Sequence, residues 1–318
     1  MDIWKSEVWK DKYKDHNVRK GLRLKFDRGI DEKLKTGFKE YCRWLRSEYT
    51  FPIRVPVYVK NFKKIKAMDG EYVFGTFLGP FNFLEEPYVR VAAGDFKESF
   101  EEMGEQAVYQ YLCTLTHELT HYFQWLNNSE LTQIGKERQA TITADRIVQR
   151  YVDAKYEEKQ QFLHKLEQSA KRREINEAEI DKLRKIAFED DVNNKILIAR
   201  ILEESKLIES EKILLHLTKD IDDVVRMETC NALSNSDSLE VYEALKGIAS
   251  KDSVGMVRGY AIVALGDVAV EINKEKEATK FLKNLLKREK TDFAIIDIWA
   301  VLYCLGEERW LSYLLEKI

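Results

Sequence analysis

Proline is almost missing from this chain: only four occur in 318 residues, Pro52, Pro56, Pro80 and Pro87, all between positions 50 and 90. Helix interiors exclude proline, so that window is expected to be non-helical and the long proline-free remainder is open to helix. Gly70, Gly75, Gly79 and Gly94 cluster with the prolines. Long apolar runs are lacking as well. No stretch nears the roughly 18–20 uninterrupted apolar residues of a membrane span, so no membrane partner is expected. The opening MDIWKSEVWKDKYKD interrupts its apolar residues with charge at every turn and has no apolar secretory core, which points to a cytoplasmic protein. Cysteine is scarce: Cys42, Cys113, Cys230 and Cys304 are widely spaced with no CxxC pair. That excludes a disulfide framework and a cysteine zinc site, and leaves four small, buried apolar residues as the expectation.

The net charge of −3 conceals an asymmetry, since residues 1–66 hold 19 Lys/Arg against 9 Asp/Glu. A basic arm of this kind fits an acidic partner such as nucleic acid. The plainer reading is a solvated helical face, because Trp4, Val8, Trp9, Leu22, Leu24 and Phe26 recur among the charges at near-helical intervals.

Within the proline window, Ile53–Lys60, Tyr72–Leu78 and Tyr88–Ala92 are short β-branched and aromatic runs. They read as strands of a small sheet spanning about 50–95, with Pro56 favouring an edge. Before them, Leu34, Phe38, Tyr41 and Leu45 mark an amphipathic helix over 30–50. After them, one helix is expected over 99–126 and another from about 136 to 155 or beyond.

Histidine is rare, five in all, yet two of them stand four apart in His117-Glu118-Leu119-Thr120-His121. On a helix, i and i+4 share a face, so both imidazoles can reach one ion at about 2.0–2.1 Å. Glu118 then faces water on that ion. Leu112, Leu115, Leu119, Tyr122 and Phe123 supply the apolar stripe that anchors such a helix.

This HELTH segment resembles the HExxH zinc metallopeptidases, and the resemblance covers about residues 50–155. It implies a zincin-like α+β domain at 1–158 with Zn2+ as cofactor and Glu118 as general base. The residues after His121 are YFQWLN, which excludes the extended metzincin motif, and neither His164 nor His216 is well placed as a third ligand. Glu137, followed by Ala140 and Ala144, looks like the glutamate helix of gluzincin-type enzymes. By that resemblance the metal ligands are His117, His121 and Glu137, with a fourth position left to water. Asp145 is then the candidate partner of a ligand imidazole. Glu137 paired only with Lys136 or Arg138 on the surface is the plainer alternative. Tyr72, Tyr88, Arg90 and Tyr151 are the candidate donors to a tetrahedral intermediate. The run Tyr88–Gly94 is the expected edge strand on which an extended peptide substrate would pair.

From about residue 160 onward, a charged helical connector over 159–206 leads into a repeat. Val224-Val225-Arg226 with Ala232-Leu233 recurs 32 residues later as Met256-Val257-Arg258 with Ala264-Leu265-Gly266, and more loosely before Cys304-Leu305-Gly306. This pattern resembles the second helix of HEAT repeats. It implies an α-solenoid over 207–318, with a degenerate unit near 185–205 and a surface for a protein partner. The chain is thus expected to be mostly α: a zincin-like domain, a connector and HEAT-like repeats. Its expected activity is zinc-dependent hydrolysis of a protein or peptide selected by the repeats. Two readings stand beside it. One is a non-catalytic HEAT-repeat binding or regulatory protein whose first domain is merely metal-stabilised, and the other sends the basic segment to nucleic acid.

Overall fold

A computed structural model of the chain describes residues 2–10, 19–68, 70–82, 85–170, 174–189, 191–203, 205 and 207–315. It is mostly helical with a small sheet, and its internal contacts divide it into two units, Met1–Glu157 and Glu158–Ile318. Among the described residues, no helix is long and apolar enough to cross a membrane.

The first unit is built on a four-stranded sheet in the order β1 (Leu22–Phe26), β2 (Val55–Lys60), β6 (Tyr88–Ala92), β5 (Gly75–Leu78). β1 and β6 run parallel to β2, and β5 runs antiparallel to β6. A separate ladder pairs β3 (Ile65–Lys66) with β4 (Tyr72–Val73). The expected run Tyr72–Leu78 therefore splits into two strands in different ladders.

Three expectations are corrected here. Leu22–Phe26 is a strand, not part of a helical face. It pairs in register with Val55–Val59, and its apolar residues Leu22, Leu24 and Phe26 recur at the strand period of two. Residues 11–18 of the basic segment lie outside the described residues. β2 lies inside the sheet although it carries Pro56. Val55 N donates to Gly21 O on the β1 side, so the nitrogen of Pro56 faces β6, whose pairing begins only at Val57. The missing donor thus falls just before the ladder needs one. Finally, β6 is interior as well. The sheet edge nearest the HELTH helix is β5, so Tyr88–Gly94 offers no free strand edge.

Helix α1 (Glu32–Glu48) starts where Asp31 accepts a hydrogen bond from Lys33 N, and it buries Leu34, Phe38, Tyr41 and Leu45. The single helix expected over 99–126 is two: α2 (Phe96–Met103) and α3 (Glu105–Leu126). They are divided at Gly104, whose φ of +58° glycine adopts without a Cβ penalty. α3 buries Leu112, Leu115, Leu119, Tyr122 and Phe123, as its 3–4 spacing predicts. Its buried hydroxyls are all engaged: Thr116 pairs with the Tyr41 hydroxyl at 2.6 Å, and Thr120 accepts from Trp4 Nε1 at 3.0 Å. Tyr122 donates to Ile53 O at 2.8 Å and ties the helix to the approach of β2. α4 (Gln133–Ala170) begins in this unit and ends in the next.

The second unit continues with α5 (Glu177–Ala187), α6 (Val192–Leu202), α7 (Ile208–Leu217), α8 (Asp223–Ala232), α9 (Leu239–Lys251), α10 (Gly255–Glu271), α11 (Glu275–Leu286), α12 (Asp292–Cys304) and the short α13 (Leu311–Leu315). α6, α8, α10 and α12 pack one on the next, each with its preceding helix beside it. The sequence repeat explains the stack. Val225, Val257, Leu233 and Leu265 are fully or almost fully buried. Each basic residue reaches an acid of the following unit: Lys195 to Asp220 at 2.7 Å, Arg226 to Asp252 at 2.8 and 3.0 Å, Arg258 to Glu289 at 2.8 and 2.7 Å. Of the cysteines, Cys42 and Cys230 are buried as expected, whereas Cys113 is only half-buried and Cys304 is exposed.

Candidate metal centre

The i, i+4 spacing on α3 turns His117 and His121 to one face, and their Nε2 atoms lie 3.1 Å apart. Glu137, one turn into α4, brings Oε2 to 3.2 Å from His117 Nε2 and 3.4 Å from His121 Nε2. All three ligand atoms fall within 4.8 Å of one another, the only such group of His, Cys, Asp and Glu among the described residues. They line a cleft of about 1340 Å³ walled by β5, α3 and the first turns of α4. Ala140 and Ala144 are buried beside the half-exposed Glu137.

Hydrogen bonding sets which nitrogens face the centre. Gln124 Nε2 donates to Lys136 O at 2.9 Å and to Gln139 Oε1 at 3.0 Å, which fixes the orientation of its amide. Its Oε1 then lies 2.8 Å from His121 Nδ1, so that nitrogen carries the proton and Nε2 keeps its lone pair. Thr141 donates to Glu137 O and holds its oxygen 3.5 Å from His117 Nδ1. Gln133 Nε2 donates to Glu137 Oε1 at 2.9 Å and leaves Oε2 directed at the imidazoles. Burial, with the neighbouring His121 adding to it, lowers the pKa of His117 against the opposing pull of Glu137, so its imidazole favours the neutral form a metal requires.

Two imidazole lone pairs and a carboxylate oxygen at this spacing repel one another unless a cation or proton sits between them. Nitrogen and oxygen donors in this number suit zinc rather than calcium or magnesium, which prefer all-oxygen sites. Three protein donors beside an open cleft leave room for a further ligand.

Glu118 is 8% exposed and sits against β5. Its Cγ and Oε1 approach to 2.7 Å of where a Cβ on Gly75 would be. Burial first, and the charge of Glu137 second, push its carboxyl up to about 8.

The other sequence candidates are placed as follows. Asp145 lines the cleft but accepts from the Tyr109 hydroxyl at 2.8 Å, not from a ligand imidazole. The histidines are instead met by Gln124 and Thr141. Tyr88 and Arg90 line the cleft, with Arg90 Nε donating to Thr76 Oγ1 at 3.1 Å. Tyr72 and Tyr151 do not line it. Tyr72 is exposed on β4, and Tyr151 packs against Tyr41 and Trp44 at 4.9 and 5.4 Å. Sequence reasoning missed Gln124, Gln133 and Gly75. Two of these had a signal: Gln124 lies three residues after His121 and Gln133 four before Glu137, so each shares a helical face with its partner. Gly75 had none beyond its place in a strand.

Compared with known proteins, residues 180–266 match the HEAT repeats family. The match takes in 180–206, where the sequence pattern had placed a connector with a degenerate unit near 185–205. No curated protein and no solved structure matches the chain.

Proposed function

We propose that the first unit is a zinc-dependent hydrolase that cleaves peptide bonds. The observation that carries this reading is the convergence of His117, His121 and Glu137 within 4.8 Å, in a cleft that also holds the buried carboxyl of Glu118. His117 Nε2, His121 Nε2 and a Glu137 carboxylate oxygen would hold the ion. Bound zinc supplies a water of pKa about 7 and polarises a carbonyl.

The chain's own residues do the rest. Glu118 takes a proton from water and delivers it to the leaving amine. Gln124, Thr141 and Gln133 hold the two imidazoles and the carboxylate in orientation. β5 ends the sheet, so an extended peptide could add along its outer edge and lie over Glu118. Tyr88 and Arg90 are the remaining candidates to donate to a developing oxyanion. HEAT repeats present extended binding surfaces, and in this reading those of the second unit recruit the protein to be cut.

The test is metal analysis and hydrolysis of a quenched-fluorescent peptide library by full-length protein, comparing wild type with His117→Ala, Glu118→Gln and Glu137→Ala. The expected result is about one zinc per chain, kept in Glu118→Gln with hydrolysis lost, and weakened in the other two. No zinc after reconstitution would overturn the reading, as would unchanged hydrolysis in Glu118→Gln.

A further inference from the structure

The second unit carries a cavity of about 180 Å³ between α8, α10 and α12, lined by Asn231, Tyr260, Asp267, Phe293 and Asp297 among others. Its walls combine two kinds of surface. Tyr260 and Phe293 stack with ring planes 15° apart and centroids 6.5 Å apart, and both remain exposed, at 38% and 42%. Asp267 and Asp297 contribute carboxylates from neighbouring helices. Gly259 makes room for this arrangement: a Cβ there would lie 2.2 Å from Asp297 Oδ2 and 2.8 Å from the Phe293 ring.

Asp297 is half-buried and Asp267 more exposed, and the two differ from the ion-paired acids of the repeats. Asp220, Asp252 and Glu289 each grip a Lys or Arg of the preceding unit. No hydrogen bond or ion pair engages the side chain of Asp267 or Asp297 among the described residues. Burial raises the pKa of both carboxyls, that of Asp297 to about 6. The half-buried carboxylate of Asp297, without a partner, costs free energy, and an incoming cation relieves that cost. A bare metal ion fits poorly, because no third acid or histidine joins the pair. An organic cation fits better, since the ring faces attract it as the carboxylates do.

We propose that this pocket receives one basic side chain of a partner protein, arginine ahead of lysine. A guanidinium is flat enough to lie on the Tyr260–Phe293 surface, and its five donors can serve carboxylates on two helices at once. The repeats then recognise an exposed basic residue rather than an apolar face. The inference stands apart from the activity of the first unit.

The test uses full-length protein with methyl-labelled valine and alanine, titrated with a Gly/Ser heptapeptide bearing one central arginine. The controls are the same peptide with lysine and with citrulline, which keeps the shape of arginine and lacks its charge. The expected result is saturable shifts at Val263 and Ala264, weaker with lysine and missing with citrulline. Asp297→Asn and Asp267→Asn, near-isosteric changes whose folding the same spectra report, should each weaken binding by about tenfold or more. Tyr260→Leu should weaken it too. Unmoved Val263 and Ala264 signals at millimolar arginine peptide would overturn the proposal, and so would an equal response to citrulline.

Discussion

Gly75 should be coupled to Glu118 more strongly than to any other side chain, and a double-mutant cycle can measure it. Gly75 lies in β5 without a left-handed φ, so its backbone can accept alanine, and in a strand that change alone stabilises by about 0.5–1 kcal/mol. The new methyl, however, would lie 2.7 Å from Glu118 Cγ and Oε1 and 3.0 Å from Cδ. Ordinary carbon contacts are about 3.5–4.0 Å, so the side chain must give way by about 1 Å. Oε1 could swing aside, but Cγ is fixed by the first rotamer of a helical residue and has few alternatives. Overpacking of this kind costs about 1–3 kcal/mol. Gly75→Ala should therefore destabilise wild type by about 1–2 kcal/mol, yet be neutral or stabilising in a Glu118→Ala background. The coupling, read by chemical denaturation of the four proteins, should reach about 1–3 kcal/mol. Additive effects within about 0.5 kcal/mol would refute the contact, whatever the activity of the protein. If the proposed reaction is correct, Gly75→Ala should also cut turnover by about 100-fold, the cost of a 1 Å misplacement, with bound zinc unchanged.

Gln124→Met should lower zinc affinity by about 10–100-fold, measured by chelator competition, because His121 Nδ1 loses its acceptor; unchanged affinity would remove Gln124 from the centre. Arg258→Ala should destabilise the second unit by about 3 kcal/mol, leaving Glu289 shielded and uncompensated. Arg258, with two backbone N–H groups behind it, holds Glu289 at about 2. That stability is complete above pH 4.5 and is lost as pH falls toward 2, so acid titration of wild type should show a loss in this window that Arg258→Ala lacks. Asp297 has the opposite sign. Its carboxyl is raised to about 6 by burial, so its penalty is missing near pH 4, grows toward pH 6 and is complete above it. Asp297→Asn should therefore stabilise the protein at pH 7.5 by about 1 kcal/mol, after allowing for its partial exposure. Near pH 4 it should change nothing, which denaturation at the two pH values would check.

How far the sequence could be read depended on whether a feature was local. The HELTH spacing, β6 and the apolar stripe of α3 are set by residues within a few turns of each other, and the repeat by recurrence every 32 residues, so periodicity exposes them. The repeat also carries its contacts, since Arg226 and Arg258 recur at the same place and each reaches an acid of the next unit, 26 and 31 residues on. What stayed hidden depends on pairing between distant segments. Pro56 marks an edge only if its nitrogen faces a ladder, and register alone decided that it faces the stretch before β6 begins. Leu22–Phe26 becomes a strand because Val55–Val59 lies alongside, and its short alternation of Leu22, Leu24 and Phe26 with Arg23 and Lys25 was masked by grouping it with the residues before it. The same limit governs the candidate centre. Helical spacing brings the two histidines together, whereas Glu137 came only through resemblance to a family. The clearance that admits Glu118 comes from Gly75, 43 positions away in sequence, across the step from β5 to α3. A lone glycine in a strand reads as a weakness; only the carboxylate facing it shows that a side chain there would displace the group beside the histidines.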